Sequence, residues 1–119
     1  MGVIWYGKQE EVARFNATQR QLFAFSCQLS VWMICQDRIP GPNLADAVNA
    51  LRQDKEMSEK MLRTCPLVVE GHDAWGTELT YSIDRTKRRV TITSAGPNRK
   101  YDDGQLDDIR VEAVLPSSE

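Results

Sequence analysis

Between Lys8 and Ile39 the chain contains neither Gly nor Pro, and its apolar residues return at helical spacing. Val12, Phe15, Gln19, Leu22, Phe25 or Ser26, Leu29, Trp32 or Met33, and Gln36 follow the 3-4 spacing of one helix face. Phe23, Cys27, Val31 and Ile34 form a second row that widens the apolar stripe. The spacing predicts a helix over 8–36. Its stripe is narrow before Gln21, where Asn16, Thr18, Gln19 and Arg20 are polar, and broad after it. The helix should therefore project at its N-terminal end and be buried at its C-terminal end. It is long for a small domain. Part of it must lean on something outside the globular core or stand in water, which would leave Val12 and Phe15 as exposed apolar residues awaiting a neighbour.

A chain of 119 residues supports one domain with one modest core. Apolar residues make up 41% and charged residues 27%, a balance that fits a globular protein rather than a disordered one. The formal net charge of −2 argues against a nucleic-acid binder driven by phosphate neutralisation. No run of about twenty apolar residues is present, so no helix of the given sequence spans a membrane. No signal-peptide pattern is present either. Met1 to Tyr6 is a short apolar stub, open to two readings: a frayed terminus, or the tail of a longer apolar helix.

Pro40 forces Ile39 away from the α region and ends the long helix. Asn43 is a natural N-cap, and Leu44, Ala47, Val48 and Leu51 mark a short amphipathic helix. Met57, Met61 and Leu62 add a helical turn or two before Pro66. From Leu67 the periodicity changes, and 67–114 reads as sheet plus a C-terminal loop. Leu67 to Val69 is a short apolar run, and Gly71 to Gly76 a bend around Trp75, which should anchor its ring against the head. Leu79, Tyr81 and Ile83, then Val90 and Ile92, then Ile109, Val111 and Ala113 alternate with polar residues as three strands. The fold class is α+β: a long helix whose C-terminal half is covered by a small antiparallel sheet.

Catalytic constellations are weak. His72 is the sole histidine, and with Asp73 beside it a triad lacks a recognisable nucleophile. A surface-loop histidine is the simpler reading. Arg85, Lys87, Arg88 and Arg89 form a basic hairpin tip, either solvated or facing an acidic partner. Cys27 and Cys35 lie roughly 12 Å apart along one helix, too far to bridge. A Cys35–Cys65 disulfide is one reading, and three buried thiols the other. Nothing here demands an enzyme.

The segment from Thr93 to Ile109 holds Gly, Pro, Asn and the acidic residues Asp102, Asp103, Asp107 and Asp108, and almost nothing apolar. It must be a surface loop, and a loop this long points to function or disorder. Asn98, Asp107 and Asp108, with carbonyls of the Ala95–Pro97 turn, could offer oxygens to calcium. The alternative is an acidic, solvated hairpin loop.

In order along the chain, Asp73-Ala74-Trp75-Gly76, a strand hairpin, Ser94-Ala95-Gly96-Pro97-Asn98 and Asp107-Asp108-Ile109 resemble the C-terminal half of the type II secretion major pseudopilins. Arg38-Ile39-Pro40 followed by Leu44 to Leu51 is similar to that family's R-Y-P and the short helix after it. The resemblance covers Lys8 to Val111. It implies a single pilin-like domain over 1–119, with a helical spine at 8–36. It also implies a calcium site built from the carbonyls of Ala95 and Pro97 and the side chains of Asn98, Asp107 and Asp108. Finally, it implies a structural subunit stacking with copies of itself and other pilin-like subunits into a filament. That filament stands on the periplasmic side of the bacterial inner membrane and works with secretion-system components. Membrane contact would come only through an N-terminal apolar helix.

Three departures accompany the resemblance. Asn98 stands where the family has aspartate, which removes a negative ligand and weakens a divalent site. The stretch from Asn98 to Asp107 is longer than usual, so Asp102 or Asp103 could substitute as ligands. The processing site and the apolar first half of the spine are absent, and Met1 to Tyr6 reads as the stub of that spine in a truncated form, with a naturally spineless relative as the alternative. Two other functions stay open: a minor or type IV pilin-like subunit, and a free-standing calcium-binding or adaptor module.

Overall fold

The computed structural model describes residues 2–95 and 109–115, with the backbone alone over 2–11. Among these residues the chain is α+β: helices precede a three-stranded antiparallel sheet.

Helix α1 spans Gly2–Gln36 and starts earlier than the apolar spacing predicts. It ends before Pro40 takes effect. Asp37 turns left-handed with φ 54, and the Arg38 N–H donates to the Met33 carbonyl at 3.3 Å. That 6→1 bond is a Schellman closure with Asp in place of Gly, a substitution that Asp tolerates best after Asn. Helix α2 (Leu44–Arg52) opens where expected, with Asn43 Oδ1 accepting from the Asp46 N–H at 2.9 Å. Helix α3 (Lys55–Thr64) opens likewise, with Asp54 accepting from the Met57 N–H at 3.1 Å.

The run Leu67 to Val69 belongs to a helix rather than to the sheet region 67–114. Helix α4 spans Pro66–Glu70. Pro66 fills the first turn with its φ already set, and Gly71 closes the helix at φ 85, a conformation that favours glycine. A short apolar run carries no periodicity of its own, so capping decides its structure.

Strands β1 (Thr80–Asp84), β2 (Arg89–Ser94) and β3 (Ile109–Val114) lie in the order β1-β2-β3. Tyr81 pairs with Ile92 and Ile92 with Val111, so one register carries the apolar face across the sheet. Leu22, Phe25, Leu29 and Met33 of α1 are buried with Leu51, Met61, Val68, Val90, Ile92 and Ile109. One face of the C-terminal half of α1 is therefore the floor of the core. Burial of these side chains contributes about 1.5–3 kcal/mol each before chain entropy is subtracted.

The second apolar row does not widen that face. Phe23, Val31 and Ile34 are 63%, 51% and 56% exposed, and Cys27 is exposed too. At 100° per residue they point roughly 100–180° away from Leu22 and Leu29, and the sheet and α2–α4 cover only one side. No disulfide joins Cys35 to Cys65, since all three cysteines are free, and only Cys65 is buried.

Candidate functional site

The bend Asp73–Gly76 is built around one buried carboxylate. Asp73 Oδ1 accepts from the backbone N–H groups of Trp75 at 3.0 Å and Thr77 at 2.9 Å. Its Oδ2 accepts from the Ser94 hydroxyl at 2.7 Å. The Asp73 N–H donates to the Thr77 carbonyl at 2.9 Å, and the Gly76 N–H to the Asp73 carbonyl at 3.0 Å. An Asp side chain folding its own backbone in this way closes a tight turn, and Gly76 takes the left-handed φ of 80 that the turn requires. Trp75 is half-buried and packs against the core, as its setting predicts.

The same bend is fastened to the helix. The Ala74 N–H donates to Thr18 Oγ1 at 3.1 Å, and Thr18 is buried. One turn on, Gln21 Oε1 accepts from the Leu67 N–H at 2.9 Å, serving the first turn of α4. Sequence reasoning treated this stretch of α1 as polar and projecting, and missed both roles. The signal was present in the spacing: Thr18, Leu22, Phe25 and Leu29 fall on one face, and a hydroxyl on that face meets the head. Val12 and Phe15, one turn earlier, are 58% and 36% exposed, as the spacing predicts.

Of the five residues expected to ligate calcium, Ala95 is buried directly after β2. Pro97, Asn98, Asp107 and Asp108 lie outside the described residues, as do Asp102 and Asp103. Ser94 and Ile109, which flank this segment, are register partners, so the strands hold its two ends together. Ser94 is also the residue that the Asp73 carboxylate grips. The end of β2 is thus fixed to the Asp73 bend, and the bend through Thr18 to α1. Asp73 spends its oxygens on this clamp. Among the described residues no group of three or more His, Cys, Asp or Glu is placed to hold a metal.

Among the described residues no triad forms around His72. His72 is exposed and bridges Glu78 in the backbone, while Asp73 turns inward to the bend and Ser94. In the basic cluster, Arg88 pairs with Asp37 at 3.2 Å and Arg89 with Glu112 at 3.3 Å. These pairs bind the hairpin to the helix end and to β3. No helix of the described residues is long and apolar enough to cross a membrane.

Comparison with known proteins yields no matching family model, no similar curated protein and no similar solved structure.

Proposed function

We propose that this chain is a pseudopilin-like structural subunit, a helical spine carrying a globular head. In this reading it stacks with copies of itself into a filament on the periplasmic side of a bacterial inner membrane and serves protein secretion. The observation that carries the reading is the helix. It runs Gly2–Gln36, its head covers one face of its C-terminal half, and Val12, Phe15, Phe23, Val31 and Ile34 are left exposed along it. A helix apolar on more than one face is normally a buried helix, so a neighbour is needed to complete the burial. The motif order that resembles the pseudopilins adds support, because the Asp73 bend and the Ser94 strand end meet in space.

In this reading calcium organises the loop after Ser94, through the carbonyls of Ala95 and Pro97 and the side chains of Asn98, Asp107 and Asp108. The neutral Asn98 makes it a weaker site than one with aspartate there.

Expression of this chain in a bacterium carrying a type II secretion assembly, followed by shearing and electron microscopy, tests the filament. Filaments containing the chain are expected, and a chain found only as monomer defeats the reading. The metal is tested by melting the purified protein with calcium and with chelator. Calcium should raise Tm by mass action on the folded state, and Asp108→Ala should abolish the rise. No rise in the parent removes calcium from the proposal.

A further inference from the structure

We propose that the open edge of β1 takes up an extended segment of another protein as a fourth strand, with apolar side chains entering the groove beside it and a Lys or Arg meeting the acidic rim. The two edges of the sheet differ. β3 lies along α1, whereas β1 has only β2 as a close neighbour among the described elements. Edge strands are normally blunted by Lys, by Pro, by a bulge or by a covering element. β1 carries neither Lys nor Pro, its register with β2 is unbroken, and its single charge, Asp84, sits at the last position.

The chain itself begins such a fourth strand and stops. On the side away from β2, the Leu79 N–H donates to the Gly71 carbonyl at 2.9 Å, the Asp73 N–H donates to the Thr77 carbonyl at 2.9 Å, and His72 bridges Glu78 antiparallel. Before Gly71 the chain is helix α4, so the pairing goes no further. Main-chain groups alternate between the two sides of a strand. The N–H and carbonyl groups of Tyr81 and Ile83 therefore face the same side as the Leu79 N–H, beyond the point where the chain's own pairing ends. Beside that edge lies a groove of about 470 Å³, walled by Leu44 and Val48 of α2, Val68 and Val69 of α4, and Leu79 and Tyr81. Side chains of an added strand alternate between the sheet faces, so those on the core side enter this groove.

Backbone, spacing and charge define the occupant. An extended segment supplies main-chain partners, the mode by which sheet edges take up peptides. Glu70 and Glu78 line the groove, Asp46 stands in the first turn of α2, and no Lys or Arg is among the described residues lining it. A segment with apolar residues at alternate positions and a flanking Lys or Arg complements this rim. The inference goes beyond the filament reading and holds whether or not the chain forms filaments.

The test selects binders from a displayed library of short random peptides on the immobilised full chain, and the strongest binder is then synthesised. In the free protein, amide exchange should be fast at Tyr81 and Ile83 and slow at Ser82, and the peptide should slow the first two. Methylating one alternate set of the peptide's backbone nitrogens should weaken binding about tenfold or more, and methylating the other set should leave it unchanged, because only one set faces β1. Glu70 is exposed, so Glu70→Lys should fold. It should weaken binding of a basic peptide about fivefold. Five results overturn the proposal. Selection yields no binder. The peptide protects amides elsewhere and not those of β1. Affinity ignores which nitrogens are methylated, which means that the groove holds side chains without strand pairing. Affinity is unmoved in Glu70→Lys, which removes the basic partner. The free protein dimerises with Tyr81 and Ile83 already protected, which gives the edge to a second copy.

Discussion

The hydroxyl of Ser94, the last residue of β2, donates to the buried carboxylate of Asp73 across 2.7 Å. Asp73 sits in the bend and Ser94 ends a strand, so this bond joins the bend to the sheet. Because Asp73 also receives two backbone N–H groups and Ala74 is tied to Thr18, the clamp reaches α1 as well. Its strength should be measurable.

Asp73→Ala removes an acceptor from three donors in a buried site. It should lower stability by about 3 kcal/mol, since hydrogen bonds to a charged group contribute most and the orphaned donors add a penalty. Asp73→Asn should cost less, because the amide oxygen still accepts. Urea unfolding of the three proteins decides this, and a loss under about 1 kcal/mol for the alanine variant would mean that the bend is held by something else.

Trp75→Ala should cost about 2 kcal/mol, below the range for a fully buried tryptophan, because the ring is half-buried. A denaturant titration gives the value. A change near zero would show that the ring is dispensable to the core.

Tyr81 donates its hydroxyl to the Gly41 carbonyl at 3.0 Å, and burial, then the nearby Asp46 carboxylate, pushes its pKa from 10.0 up to about 12. The folded state thus keeps a proton that the unfolded state gives up. Stability from this residue is fully present below pH 10 and is lost as pH rises towards 12. Ultraviolet titration of the native protein should show a tyrosine ionising near 12 that is missing in Tyr81→Phe. A parent and variant with the same titration curve would contradict this.

The three thiols should separate by burial. Cys27 and Cys35 are exposed and should react with an aromatic disulfide in the native protein. Cys65 should react only on unfolding: burial pushes its thiol pKa up, partly offset by the Thr64 hydroxyl, and the side chain is covered. Three rapid thiols in the native state would place Cys65 at the surface.

Local rules were enough for much of the fold. The absence of Gly and Pro between Lys8 and Ile39 settled the long helix, Asn43 settled the start of α2, and the alternation through Tyr81, Ile92 and Val111 settled the sheet and its inner face. Each depends on a few neighbouring residues and a backbone period, so each is written in the order of the chain. Three features were not legible in that way. The apolar residues of α1 lie on two faces, and periodicity cannot say which face the head will cover; the placement of the sheet against Leu22, Phe25 and Leu29 decided it, and left Phe23, Val31 and Ile34 outside. Thr18 and Gln21 look like surface polar residues until the bend and α4 bring backbone N–H groups to them over long sequence separations. Asp73 and His72 are adjacent in sequence, yet the carboxylate turns inward to Ser94 while the imidazole side stays exposed. Hydrogen-bond partners and solvent exposure are properties of surfaces that meet only after the chain has folded, and for that reason the tertiary structure alone decided them.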